Sequence, residues 1–148
     1  MNITEAHSLA INLMKQHGLT DWKFKFDRAY VRFGSCSSYL KKITLSKPLT
    51  ELNDESKVKE TILHEIAHAL VGSRHQHNHI WRNKAAQIGA KPERCYSLTV
   101  TQPKGRWLGK CPNCSREVYK YRKPRVRRSC GKCSNKWNPA YQLVWKRV

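Results

Sequence analysis

Glu60-Thr61-Ile62-Leu63-His64-Glu65-Ile66-Ala67-His68-Ala69-Leu70 is the stretch from which the rest of the chain can be read. It lies inside a predicted helix over 55–72, with Asn53 or Asp54 able to cap its start and Gly72 to end it. At about 100° per residue, Val58, Ile62, Leu63, Ile66, Ala69 and Leu70 share one broad apolar face. His64 and His68 fall near the opposite side, about 40° apart, so one metal ion can be reached by both imidazoles. Glu65 projects beside that ion, where it can take a proton from a bound water and pass it to a leaving amine. A metal at such a site polarises a carbonyl and brings the pKa of water toward neutrality. The chemistry indicated is metal-assisted hydrolysis of a peptide bond, with Glu65 as general base.

Such a site needs a third protein ligand. His75, His77 and His79 follow closely, in Arg74-His75-Gln76-His77-Asn78-His79-Ile80-Trp81, and all three are candidates. A carboxylate ligand is disfavoured: the only acids after Glu65 are Glu93 and Glu117, neither in a helix beside the site. The metzincin spacing would need glycine at position 71 and histidine at position 74, where the chain has Val71 and Arg74. No Met follows Met14, so a Met-turn is absent, and so is the inverted motif of the inverzincins. Arg74, His75, His79 or a tyrosine could each stabilise an oxyanion, and spacing does not choose among them.

Outward from this helix, Ile3, Ala6, Leu9, Ala10, Leu13 and Met14 have helical spacing, with Asn2 as cap, Glu5 three residues on, and Gly18 as stop. Trp22, Phe24 and Phe26 alternate with polar residues and predict a strand; Ala29, Val31 and Phe33 predict a second, closed by Gly34. Ile43 and Leu45 predict a third, stopped by Pro48. A helix is expected over about 78–88, with Ile80, Trp81, Ala85 and Ile88 inward. Residues 91–105 read as a connector that includes a short strand at Ser97–Thr101.

The last third of the chain has a separate character. Cys111-Pro112-Asn113-Cys114 and Cys130-Gly131-Lys132-Cys133 enclose 15 residues, the spacing of a zinc ribbon with a closed four-thiolate site. Gly131 is expected to permit the tight second knuckle. A segment of roughly 40 residues can hardly fold without such a staple. Between the knuckles, Lys120, Arg122, Lys123, Arg125, Arg127 and Arg128 interleave with Tyr119 and Tyr121 along an expected hairpin. The whole chain of 148 residues carries a formal charge of +19; residues 1–90 hold 13 basic and 8 acidic side chains, whereas residues 91–148 hold 16 and 2. A net +14 over the last 58 residues exceeds what solubility needs and points to a polyanion, DNA first. The six cations can neutralise phosphates, and Tyr119, Tyr121 or Trp137 can stack on the bases of single-stranded DNA, although the ribbon's own small core is the expected home of Trp137 and Trp145. No recognition helix is present, so the contact is expected to be non-sequence-specific.

Together these residues resemble the SprT-like zinc metalloproteases, the family of Spartan-like domains with a C-terminal zinc ribbon. The resemblance runs through Gly34-Ser35-Cys36 before a strand, Ile43-Thr44-Leu45-Ser46, the His64–His68 helix, His77-Asn78-His79-Ile80-Trp81 and the paired cysteines. It implies an α+β fold: a compact, minigluzincin-like zincin core with a small antiparallel sheet and an HExxH helix, then a β zinc ribbon. The family places its third ligand four residues before an aromatic, which makes His77 the matching position to Trp81. Asn78 departs from the usual Asp or Gly there. The resemblance also implies Glu65 as catalytic acid–base, and cleavage of DNA-crosslinked proteins as the activity. The expected organisation is a metalloprotease domain over 1–104 and a basic ribbon over 105–148, with two zinc ions, one catalytic at His64, His68 and His77 and one structural at Cys111, Cys114, Cys130 and Cys133.

Other classes fare worse. No run of 18 apolar residues exists and no signal peptide opens the chain, so a monomer in the cytoplasm, at the nucleoid or in a nucleus is expected, neither membrane-bound nor secreted. A nuclease would want a carboxylate-rich two-metal clamp. The rival reading is a non-catalytic DNA- or RNA-binding ribbon adaptor with a vestigial zincin site. Cys36 reads as a packed turn residue rather than a nucleophile, and Cys95 as a buried or half-exposed thiol.

Overall fold

The computed structural model describes residues 1–93 and 100–148. The Cys95 thiol and the strand expected at Ser97–Thr101 fall on or run into the interval 94–99, and lie outside the described residues. The chain forms two compact units, Met1–Pro103 and Lys104–Val148. Among the described residues no helix is long and apolar enough to cross a membrane.

The first unit is α+β. Helix α1 (Ile3–Gln16) starts where Asn2 Oδ1 accepts from the Thr4 and Glu5 amides, and it buries Ala6, Ala10, Leu13 and Met14. Strands β1 (Lys23–Asp27), β2 (Gly34–Ser37) and β3 (Lys42–Ser46) make one sheet in the order β1-β3-β2. The sheet is mixed, which corrects the antiparallel expectation. β2 and β3 form an antiparallel hairpin with Cys36 opposite Ile43, but β1 lies parallel to β3 with Phe24 opposite Ile43 and Phe26 opposite Leu45. The reason is burial. β3 has Ile43, Thr44, Leu45 and Ser46 all shielded, so it takes the centre, and the chain from β1 to β2 must cross past it.

The second strand is Gly34–Ser37, not Ala29–Phe33: Val31 points to solvent and only Phe33 of that run is fully buried. Gly34, Ser35 and Cys36 are therefore strand residues, and Cys36 is not in a turn. After β3 comes a helix the alternation did not predict, α2 (Lys47–Leu52). Ser46 Oγ caps it by accepting from the Leu49 amide, and Pro48 sits in its first turn. Proline ends a strand, but its fixed φ also suits the first turn of a helix.

Helix α3 (Glu55–Val71) is capped by Asp54, whose carboxylate accepts from the Lys57 amide, and ends at Gly72 with φ 87°. It buries Val58, Ile62, Leu63 and Ile66 as predicted, and also Thr61, Glu65 and Ala67. Leu70 is exposed instead of inward. Helix α3 packs against α1, β2, β3 and the following helix, so its covered arc is wider than one apolar stripe. A short 3-10 turn, Ser73–His75, reverses the chain into helix α4 (His79–Gln87), capped by Asn78. Trp81 and Ala85 are buried in α4 and Ile88 is half-buried, but Ile80 is exposed, a correction to its inward placement.

The second unit is a three-stranded antiparallel sheet of β4 (Trp107–Lys110), β5 (Glu117–Lys120) and β6 (Val144–Arg147), in the order β5-β4-β6. The first knuckle forms the β4–β5 hairpin; of the insert 117–128, expected as a hairpin, Glu117–Lys120 is the strand β5, and residues 121–128 carry no strand. Trp145 lies over Gly109, where any β-carbon would come within 2.8 Å of the indole. Trp137 is half exposed, so of the two tryptophans assigned to the small core only Trp145 packs there. Gly131 has an ordinary backbone and open space around its α-carbon, so the second knuckle does not depend on glycine; Ser115, with φ 56°, takes the strained turn at the first.

Candidate metal centres and active site

His64 and His68 stand one turn apart on α3, and the reversal through Gly72 returns His77 to the same place. The Nε2 atoms of His68 and His77 are 3.1 Å apart, and those of His77 and His64 are 3.2 Å apart. A single proton on His77 Nε2 can serve only one of these contacts, whereas a shared cation would satisfy all three lone pairs. Tetrahedral zinc with bonds of about 2.05 Å places its nitrogens about 3.3 Å apart, so the spacing fits. Burial, with the neighbouring imidazoles adding, holds His64 down to about 3 and His68 down to about 4. Both rings are therefore neutral at physiological pH, the state a metal needs.

The other two candidate ligands are elsewhere engaged or placed. His75 Nδ1 accepts from the Asn78 side-chain amide at 3.2 Å, while His79 is exposed at the start of α4. Asn78 Oδ1 caps α4 through the Ile80 and Trp81 amides.

Beneath the three imidazoles lies Trp81. Its ring centroid is 4.6 Å from that of His64, 5.0 Å from His68 and 4.7 Å from His77, and it has no exposed surface. The indole is thus the common floor of the cluster, stacked on His68 at 28°. Trp81 Nε1 is the one buried side-chain N or O among the described residues without a hydrogen-bond partner. The sequence marked Trp81 as inward but gave no sign that it would touch all three rings.

Glu65 is 95% shielded, on the side of α3 that faces β2. Gly34 makes room for it: a β-carbon there would stand 2.8 Å from Glu65 Oε1 and 2.9 Å from its Cγ. With Cys36, Ser38, Ser73 and Gln76, the side chains of Glu65, His68 and His77 line a cleft of about 290 Å³. Burial, and the charge of Glu65, push the Cys36 thiol up to about 12, so it stays protonated and is no nucleophile. The role of Gly34 beside Glu65, and the cleft residues Ser38, Ser73 and Gln76, had no sequence signal, because only tertiary packing brings β2 and the turn after α3 to one cleft.

A model of the SprT-like family matches residues 4–102. The chain belongs to the SprT-like family. This family is associated with metallopeptidase activity. No curated protein matches the chain. The three imidazoles of this SprT-like unit could hold a metal ion, and their donor set is compatible with zinc.

A second cluster lies outside the family match. Cys111, Cys114, Cys130 and Cys133 gather within one coordination sphere. Cys111 and Cys133 sulfurs are 3.9 Å apart and those of Cys114 and Cys130 are 3.6 Å apart, close to the roughly 3.8 Å edge of a zinc–thiolate tetrahedron. None is in a disulfide. At Cys130 burial opposes ionisation, but the Lys132 and Cys133 amides and the adjoining thiols outweigh it and bring the thiol to about 6. This cluster also could bind metal and fits a zinc ribbon, and four thiol ligands would leave no coordination position for chemistry. Lys120, Arg122, Lys123, Arg125, Arg127 and Arg128 are all exposed, with Tyr119 and Trp137 partly exposed. Lys123 Nζ lies 5.3 Å from the Trp107 ring centroid.

Proposed function

We propose that this chain is a zinc metalloendopeptidase acting on proteins bound or crosslinked to DNA. The observation that carries the reading is the convergence of three imidazoles beside a buried glutamate that lines the same cleft as His68 and His77. When bound at His64, His68 and His77, zinc supplies Lewis-acid polarisation of the scissile carbonyl and acidifies the attacking water. Glu65 takes the proton from that water and delivers it to the departing amine. Its near-complete burial keeps bulk water from competing for the carboxylate, and Gly34 keeps its side chain unobstructed. Trp81 holds the rings in place from below. Cys36 of β2 and Ser38 just after it line the cleft, and β2 pairs only with β3 among the described residues. An extended polypeptide could add along that free edge, backbone to backbone, without regard to its side chains.

The ribbon supplies the second half of the reading. Six exposed cations neutralise phosphates, and Trp137 and Tyr119 offer faces on which unpaired bases stack. Holding the enzyme on DNA raises the local concentration of any protein attached to the same strand, so no sequence-selective pocket is needed. Glu65→Gln is the test. Proteolysis of a DNA-bound protein should fall by at least about 100-fold while metal content and DNA affinity stay unchanged. Undiminished cleavage in that variant would remove the hydrolase assignment, and cleavage equally fast with and without DNA at physiological salt would remove the tethering.

A further inference from the structure

His77 also lines a second hollow, of about 410 Å³, together with Arg74, His75, Gln76, Asn78 and Arg82. It shares Gln76 and His77 with the catalytic cleft, so the two hollows adjoin at these residues. No acidic side chain lines it. Arg74 and Arg82 are exposed, and among the described residues neither has a carboxylate partner; the four ion pairs present involve Arg32, Lys41, Lys57 and Lys91. Two arginines without a carboxylate partner among the described residues thus line one concave space that a proposed metal ligand, His77, also lines.

We propose that Arg74 and Arg82 form a subsite for an acidic side chain of the polypeptide being cleaved. The inference rests on the peptidase reading and adds a selectivity to it. An extended chain advances about 3.3–3.6 Å per residue, so a segment crossing the cleft carries its next one or two side chains past His77 into this hollow. A carboxylate there meets planar donors that can engage it in pairs. A nucleic-acid strand is the less suitable occupant. It wants a track of cations at phosphate spacing, whereas this pair is confined to a pocket, and the next cation along α4, Lys84, donates to Gln87 at 2.7 Å.

The test uses the full zinc-loaded chain and matched fluorogenic peptides in which a single Glu, Gln or Lys is walked through the positions flanking the cleaved bond. At one position within two residues of that bond, kcat/KM should rank Glu above Gln above Lys, with Glu about three- to tenfold over Gln. The Glu-to-Gln ratio should shrink as salt is raised, and it should fall to about one in Arg74→Gln/Arg82→Gln. Both arginines are exposed, so the double variant is expected to keep its thermal midpoint. Absence of any such position, or a preference that survives in the double variant, overturns the subsite. So does a double variant that loses affinity for an oligonucleotide while keeping the peptide preference, because the pocket would then be a phosphate site. If the wild-type chain cleaves no peptide, the peptidase reading fails by itself. The subsite is then judged by anisotropy of the labelled Glu and Gln peptides on the Glu65→Gln chain. A three- to tenfold preference for Glu that vanishes with the two arginines upholds it, and equal binding removes it.

Discussion

The two metal-ligand clusters rest on opposite kinds of support. The three imidazoles lie at the edge of a large apolar core that includes Phe33, Ile43, Leu45, Leu49, Ile62, Ile66 and Trp81, and that core is complete without them. The four thiols are themselves part of what little core the ribbon has: Cys111 and Cys130 are buried in one cluster with Leu143, and Cys114 and Cys133 pack against it. Burying one large apolar side chain is worth about 1.5–3 kcal/mol, so the first unit can hold its fold on packing and the second cannot. The lesson is a division of labour. Where packing makes the fold, a metal is free to keep an open position for chemistry; where the metal makes the fold, every position must be filled by protein.

The sharpest way to break this comparison is to strip the metal. Chelation, or Cys130→Ser, should unfold residues 104–148 outright while the first unit keeps its cooperative transition. Amide exchange separates the two: protection at Gly109 and Trp145 should vanish, and protection at Ile62 and Ile66 should persist. Joint loss of both would mean that the first unit also depends on metal.

Trp81 probes the comparison from the other side. Trp81→Leu should cost about 2–4 kcal/mol by leaving a cavity, and should also loosen metal at the imidazoles because their floor is gone. Denaturant unfolding and zinc competition measure the two effects separately. Unchanged zinc affinity would show that α3 and the Gly72 reversal alone place the rings.

Acid gives a smaller effect, and its sign can be worked out. His64 and His68 titrate near 3 and 4 in the folded chain against 6.5 when exposed. Between those values the unfolded chain binds more protons, so these two groups should cost the metal-free first unit stability as pH falls from about 6.5 toward 3, and their contribution should level off only below that. Calorimetry of the chelated chain from pH 7 to about pH 4 tests this, and His64→Gln/His68→Gln should flatten the slope. The smallest effect is expected at the start of the metal helix. Asp54→Ala removes the cap on the Lys57 amide and should lower the stability of the first unit by about 1 kcal/mol, leaving the ribbon's thermal transition where it was.

Much of the site was legible because it is local. A histidine pair at i and i+4 shares a face in any helix, and two C-x-x-C knuckles 15 residues apart can close on one ion whatever surrounds them. The sheet was legible only in part. The alternation at Phe24 and Phe26 marks a real strand, but Ala29–Phe33 alternates equally well and forms none, because Val31 has nothing to pack against. Pro48 ended a strand and, with Ser46 behind it, also began a helix, two roles that periodicity does not distinguish.

By itself, then, the sequence determined the α3 helix, the pairing of His64 with His68, the four-thiol ribbon and the concentration of positive charge in the last third. Each follows from short-range spacing or from composition. Only the tertiary structure decided that His77, rather than His75 or His79, meets the pair, that β3 takes the centre of a mixed sheet, and that Glu65 lies shielded under Gly34. These depend on where a chain reversal returns and which strand is buried on both faces. Such outcomes are set by contacts between residues far apart in the chain, and no local pattern encodes them.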